Sequence, residues 1–377
     1  MKDDAYPLRS EVDPGGLAEF SVVFTDRSLN SMSVRFQEVM RDLSAGLREV
    51  YGAHAVAIVP GGGTFAMEAV ARALAHGGRA FVVRNGWFSY RWSQILDATG
   101  GAAAVEVTTA VPVDGAYAPP PIEETCAAIR AARPDVVFAP HVETSAGLIL
   151  PDDYVARLAA AAHEVGALMV LDCVASGCVW VDMAATGVDV LISAPQKGWS
   201  STPCAGLVMM SEAAEARVKA ARADSFALDL AKWRSIMAAY EGGGHAYHAT
   251  MPTDGLAQFR DAMEETRAFG YEAAKAAQWR LGDAVRAALA ERGARSVAAD
   301  GYGAPGVVVS YTDDPAVKSG RAFAERGTQV AAGVPLMVGE PEGFSTFRIG
   351  LFGLDKLRDV EGTLARLTPA LDGVLGA

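Results

Sequence analysis

The stretch Ser193-Ala194-Pro195-Gln196-Lys197-Gly198-Trp199-Ser200 places a lysine on a tight turn between two apolar runs, residues 188–192 and 206–210. Both runs read as buried strands bounded by turn-forming residues. A buried ammonium is costly unless it is paired or gives up its proton. A lysine whose pKa falls becomes an amine nucleophile toward carbonyl groups. The competing reading is a solvated loop lysine, the common state of that residue. The rest of the chain weighs between the two.

Working outward, strand-like and helix-like segments alternate. Residues 55–59, 80–84, 103–107, 135–139 and 167–171 read as strands, with helical periodicity at 33–51, 92–98, 122–132 and 153–165. This alternation argues for a mainly parallel α/β sheet. Two features of the alternating region carry chemistry. Pro60-Gly61-Gly62-Gly63-Thr64 feeds a helix for which Thr64 is the expected N-cap, so backbone amides can face an anion. A plain strand-to-helix turn is the alternative, and the stretch is neither a P-loop nor a Rossmann fingerprint. Asp172 ends a strand, where charged groups of parallel sheets face a ligand crevice; the alternative is an aspartate capping the next turn. His141 reads as structural. Beyond residue 210, one long helical pattern over 255–291 is expected, with Gly270 and Gly282 as weak points. A compact α+β unit follows, with strands at 306–311, 329–332 and 346–352 and helices at 315–325 and 355–371. Arg348 lies inside an apolar strand and needs an anionic partner, either a protein carboxylate or a substrate carboxylate.

Composition sets bounds. The 377 residues suffice for about two domains. The chain is 51% hydrophobic with a formal net charge of −12, which disfavours nucleic acid or an anionic membrane as principal partner. Four cysteines, Cys126, Cys173, Cys178 and Cys204, show no metal-type spacing, so a reduced, cytoplasmic protein without a metal is expected. The N-terminus does not read as a signal peptide, and no run approaches a membrane span.

Pyridoxal phosphate (PLP) chemistry demands a lysine for the aldehyde, a carboxylate for the pyridine nitrogen, an aromatic ring against one face and a small branched residue against the other. It also demands phosphate donors and an arginine for the substrate carboxylate. The chain offers a candidate for each, with Asp172 and Lys197 separated by one strand–turn–strand excursion.

On these residues the chain resembles class V aminotransferases of fold type I, closest to the alanine–glyoxylate and serine–pyruvate branch. The resemblance runs from about Ser33 to the C-terminus. It rests on Gly61-Gly62-Gly63-Thr64, Asn85-Gly86-Trp87-Phe88, Glu143-Thr144-Ser145-Ala146-Gly147, Asp172-Cys173-Val174-Ala175-Ser176, Ser193-Ala194-Pro195-Gln196-Lys197, Tyr247-His248-Ala249-Thr250-Met251-Pro252 and Phe347-Arg348-Ile349-Gly350. It implies a large domain (33–264) around a mainly parallel seven-stranded sheet, a smaller α+β domain (265–377), and an N-terminal arm (1–32) shaping the substrate pocket.

The resemblance further implies that Lys197 holds the cofactor as a Schiff base and moves the proton. Asp172 would pair with the pyridinium. Val174 and Phe88 would flank the ring, with Trp87 able to share the role of Phe88, and Thr144 would touch the phenolic oxygen. Gly62, Gly63, Thr64 and Gln196 would hold the phosphate. Tyr247 and Thr250 would reach the phosphate of the other subunit in a homodimer, and Arg348 would clamp the substrate carboxylate. The chain departs from the family at Phe88 (usually Trp or Tyr), Thr64 (often His or Ser) and Pro195 (often Ser). The expected activity is transfer of an amino group from a small amino acid of the alanine, serine or aspartate class to glyoxylate or pyruvate. The rivals are 2-aminoethylphosphonate–pyruvate transamination, using Arg9, Arg27 or Arg35 for the phosphonate, a desulfurase or lyase, and a non-catalytic PLP-fold protein.

Overall fold

The computed structural model describes residues 12–14 and 16–376. Arg9 and the first part of the expected N-terminal arm lie outside them.

Seven strands form one sheet. In spatial order they are Ala55–Pro60, Ala205–Met210, Val190–Ser193, Leu168–Asp172, Val136–Pro140, Arg79–Arg84 and Ala104–Thr109. Four neighbouring pairs are parallel, and only Ala205–Met210 runs antiparallel, against both its neighbours. The central strands are buried along their whole length. That is why they read as continuous apolar runs rather than alternating ones: a parallel sheet is covered on both faces. The edge strand Ala104–Thr109 is largely exposed.

The registers bring Pro60, Arg84, Pro140, Asp172 and Ser193 to the same edge of the sheet, together with the amino end of Ala205–Met210. Helices then begin close to this edge, at Gly63–Ala75 and Trp87–Thr99. On one flank the helix Val34–Tyr51 starts at Ser33, whose hydroxyl accepts from the Phe36 N–H at 3.1 Å, and stops at Gly52 in the left-handed region. It buries Phe36, Val39, Met40, Leu43 and Leu47 against Leu230–Glu241 and Thr253–Phe269.

The pattern expected as one helix over 255–291 is two, Thr253–Phe269 and Tyr271–Glu291. They meet at Gly270, whose φ of 97° no continuing helix allows. The second helix packs on the C-terminal unit, a three-stranded antiparallel sheet ordered Val307–Tyr311, Thr346–Gly350, Ala331–Ala332. The last of these strands is shorter than expected. The strand carrying Arg348 ends at Gly350, so Phe352 lies beyond it. The expected helix over 315–325 is two short turns, Pro315–Lys318 and Arg321–Ala324, interrupted at Gly320 with φ 78°.

A second apolar cluster packs hairpins beside the large sheet against the C-terminal unit. It includes Tyr117, Leu148 and Ile149 from one side and Val297, Val307, Val309 and Leu336 from the other. Gln278, fully buried, adds polar ties: its Nε2 donates to the carbonyls of Pro305 (3.1 Å) and Leu351 (3.2 Å). Among the described residues, no helix is long and apolar enough to cross a membrane.

Candidate active site

The lysine turn is built from both ends. Upstream, Val190–Ser193 fixes it to the sheet. Downstream, Trp199 is fully buried, 4.6 Å from the Trp180 ring and near Tyr51, Phe259 and Tyr271. Between them Gly198 packs on backbone: an added Cβ would collide with the Gly177 carbonyl oxygen. Ser200 takes a φ of 58°, and its hydroxyl accepts from the Leu354 N–H at 2.9 Å, tying the turn to the C-terminal unit. Such a conformation persists only where its surroundings over-determine it. Gly198→Ala is therefore expected to destabilise the protein by about 1–3 kcal/mol, read as a lower denaturation midpoint, and to displace Lys197. An unchanged midpoint would show that the turn yields freely.

Lys197 projects from this clamp half-buried, its Nζ 5.1 Å from the centre of the Phe352 ring. Burial first, and the charge of Arg348 second, hold its pKa below the usual lysine value. Asp172 is buried at the carboxyl end of its strand, where Oδ1 accepts from the Val174 N–H at 2.9 Å. Burial raises its carboxyl to about 6, against the lowering effect of that hydrogen bond; the charge of Glu143 pushes the same way as burial. One site thus holds an amine biased toward neutrality and a carboxyl biased toward protonation, both waiting for a partner that compensates them.

The glycine turn meets Asp172 from the other side. A Cβ on Gly63 would sit 2.6 Å from Val174 Cγ2. The helix Gly63–Ala75 is capped by Gly62 without a side-chain hydrogen bond, which corrects the expectation that Thr64 is the N-cap. Thr64 is one residue inside the helix, and its hydroxyl instead accepts from Arg91 Nη1 at 2.9 Å. Thr64 is too far into the first turn to cap it. Gln196 Oε1 is buried and has no hydrogen-bond partner among the described residues.

Phe88 sits in the first turn of Trp87–Thr99. Its ring centre lies 5.5 Å from the Arg348 guanidinium carbon and 5.4 Å from that of Arg91. The Trp87 ring instead approaches Tyr90, at 6.1 Å. Glu143, fully buried, holds this helix start. Its oxygens accept from the N–H groups of Phe88 (3.1 Å), Ser89 (2.9 Å) and Ser145 (3.1 Å) and from both serine hydroxyls. Thr144 follows it, half-buried.

Arg348 is half-buried on its strand, Nε donating to the Ala332 carbonyl at 2.8 Å. Burial lowers its pKa, with Glu143 opposing. Neither Arg348 nor Arg91 makes an ion pair among the described residues. A half-buried guanidinium without a carboxylate is a seat for one.

Gly63, Thr64, Phe88, Asp172, Val174, Lys197 and Arg348 are thus linked by direct contact or by mutual charge. Tyr247 and Thr250 are not joined to them by any hydrogen bond. They are exposed, bonded to each other at 3.2 Å, and Thr250 lines an open groove with Pro60, Gly61, Thr202 and Pro203. Arg27 and Arg35 are exposed, and Arg35 is bonded to the Val12 carbonyl. His141 is buried, its Nδ1 2.7 Å from Ser176 Oγ, with its pKa pushed down to about 3 by burial and by Lys275.

Sequence reasoning missed three contributors. Phe352 was hidden because it was expected to extend a strand. Arg91 had a visible signal, since it follows Phe88 by three residues and shares its helix face. Glu143 was quoted in a motif, but its grip on the Phe88 helix spans 55 residues of chain.

The residues fit a phosphorylated ring aldehyde: free first-turn amides and a hydroxyl at one side, a carboxyl short of a cationic partner and an amine of lowered pKa. Comparisons agree with this chemistry. The family model described as aminotransferase class-V matches residues 21–322. A 2-aminoethylphosphonate–pyruvate transaminase of Burkholderia thailandensis is 31% identical over 361 residues, covering 90% of each chain. The small subunit of a soluble hydrogenase from Synechococcus sp. is 28% identical over 347 residues, covering 90% of this chain and 86% of that one. The crystal structure of an alanine–glyoxylate aminotransferase from Nostoc sp. shares the fold, with a TM-score of 0.78 at 24% identity over 92% of this chain and 89% of that one. The chain belongs to the class-V aminotransferase family and is a pyridoxal-phosphate-dependent aminotransferase of fold type I.

Proposed function

We propose that the protein moves an amino group from a small amino acid, of the alanine, serine or aspartate class, to glyoxylate or pyruvate. The observation carrying this reading is Arg348: a half-buried guanidinium with no carboxylate of its own, close enough to Lys197 to depress its pKa. Substrates on both halves of such a reaction share one α-carboxylate, and a single fork can receive each in turn.

When bound, PLP supplies the aldehyde with which amines condense and the ring that acidifies the substrate α-carbon. The chain's residues do the rest. Lys197 Nζ, whose pKa burial and Arg348 lower, would take the proton from the α-carbon. Asp172 would receive the ring nitrogen and keep it protonated by its opposite charge. Val174 and Phe88 would flank the ring, and Thr144 would contact it. Gly62, Gly63, Thr64 and Gln196 would hold the phosphate. Arg348 orients the carboxylate so that the α-proton faces Lys197.

Arg348→Lys keeps the charge but loses the planar fork. It is expected to lower kcat/KM for the 2-oxo acid roughly 10- to 100-fold, mainly through KM. Steady-state kinetics with pyruvate and glyoxylate checks this, and unchanged kcat/KM would remove Arg348 from the role.

A second reading, 2-aminoethylphosphonate as donor, is supported by the 31% identical relative of that name. Half-reactions of the holoenzyme with single donors, followed by the change in cofactor absorbance, separate the two. Faster conversion by aminoethylphosphonate than by alanine, serine or aspartate would favour the second. Desulfurase chemistry finds no support, because all four cysteines are buried and burial raises their thiol pKa values, to about 12 at Cys178 and about 11 at Cys204.

The working unit in this reading is a homodimer in the cytoplasm. Leu17, Phe20 and Val22 of the arm are almost fully exposed, and the Tyr247–Thr250 pair faces outward. A second copy would cover the apolar residues and receive the pair. The division at 264/265 into large and small domains belongs to the same reading, and the helix break at Gly270 lies beside it.

A further inference from the structure

Arg91 takes no part in holding the substrate carboxylate or in the proton transfer. Its Nη1 donates to Thr64 Oγ1 at 2.9 Å, its guanidinium lies over the Phe88 ring, and its charge reaches Asp172. It has no carboxylate to neutralise.

The hydrogen bond to Thr64 has a directional consequence. A hydroxyl has one proton and two lone pairs. Because Thr64 Oγ1 accepts from Arg91, its own proton is turned elsewhere and is free to be donated. Thr64 occupies the first turn of a 13-residue helix, where the N–H groups of Gly63 and Thr64 have no acceptor among the described residues and Gly62 contributes no side-chain cap. Amides, one oriented hydroxyl and a guanidinium therefore gather at one point. All are donors, and all favour a multiply charged anion.

We propose that Arg91 is a positioning residue for the cofactor's phosphate: through its bond to Thr64 Oγ1 it aims that hydroxyl at the phosphate, and it supplies the balancing positive charge. This rests on the reading of Gly62, Gly63 and Thr64 as the phosphate cradle. Arg91 takes no part in the proton transfer at Lys197. Its effect belongs to cofactor retention and should fall mainly on the phosphate.

The test compares PLP with pyridoxal, which lacks only the phosphate. Apo-protein is titrated with each, and binding is followed by quenching of tryptophan fluorescence. For Arg91→Gln the Kd for PLP is expected to rise roughly 10- to 100-fold, while the Kd for pyridoxal stays within about 2-fold of wild type. Arg91→Lys, which retains the charge without the fork, should recover part of the loss. Adding Thr64→Val to Arg91→Gln should weaken PLP binding less than Thr64→Val does alone, because the two act as a unit. Inorganic phosphate should compete with PLP less effectively against Arg91→Gln than against wild type.

Equal losses for PLP and pyridoxal, or no loss for either, overturn the role of Arg91. So does full additivity with Thr64→Val. If Arg91→Gln does not fold, the Arg91→Lys titration decides by the same PLP-to-pyridoxal ratio. A wild-type protein that binds PLP no better than pyridoxal overturns the cradle itself, and Arg91 with it. A wild type that prefers PLP, with a variant that prefers it as strongly, removes Arg91 alone.

Discussion

Lys197→Ala is expected to lose transamination by on the order of 10⁴-fold and to lose the visible absorbance of lysine-bound PLP, while remaining folded. The reasons lie at different levels of the structure. Chemically, Lys197 carries the amine whose pKa burial and Arg348 hold down, so replacing it removes both the anchor for the aldehyde and the proton carrier. Structurally, among the described residues its ammonium makes no ion pair or hydrogen bond that the fold depends on. It faces the Phe352 ring at 5.1 Å, and the turn is held instead by Trp199, Gly198 and Ser200. The expected result is a large kinetic loss with little change in denaturation midpoint. Borohydride reduction of the wild-type holoenzyme, followed by peptide mapping, should place the reduced adduct on Lys197. An adduct on another lysine, or a Lys197→Ala protein that still carries one, would reject the assignment.

Asp172→Asn should separate function from stability. Its activity is expected to fall about 10²- to 10⁴-fold, because an amide cannot hold a ring nitrogen protonated by charge. Its apo-protein should gain stability at neutral pH. The sign follows from the raised pKa. Burial lifts the folded carboxyl to about 6 from an unfolded 3.8. Between these values the folded state binds the proton more tightly than the unfolded chain, so stability falls as pH rises through that window. Asparagine can still accept from the Val174 N–H and has nothing to ionise. The stability advantage of Asp172→Asn over wild type should therefore be about 2 kcal/mol larger at pH 7 than at pH 4. Denaturant titrations of the two apo-proteins at both pH values check this. An advantage independent of pH would mean that Asp172 is not held protonated. Bound PLP should abolish the difference, since a cationic partner restores the carboxylate.

Both predictions concern residues that the sequence singled out, and the reason is local. A lysine between two apolar strands and an aspartate ending a third break a hydrophobic pattern, and such breaks are visible without coordinates. The parallel α/β sheet was legible for the same reason, because buried strands read as unbroken apolar runs. Where the reading slipped, a single backbone feature intervened. Gly270 divides a helix whose periodicity runs on either side of it, and Gly320 divides another. Thr64 has the right side chain for an N-cap but stands two residues past Gly62, which holds the position. Helix boundaries depend on dihedrals that composition constrains only loosely.

The amino-acid sequence by itself determined the alternating strands of the large sheet, the turn that carries Lys197 and the separation of Asp172 from it, because each depends on neighbours in the chain. Only the tertiary structure decided that Arg348 stands unpaired beside Phe88, that Arg91 engages Thr64, and that Phe352 faces Lys197. These contacts join residues far apart in the chain. They exist because parallel strands deliver their carboxyl ends to one edge, where a second sheet, packed on through Tyr117, Leu148, Val307 and Leu336, brings its arginine.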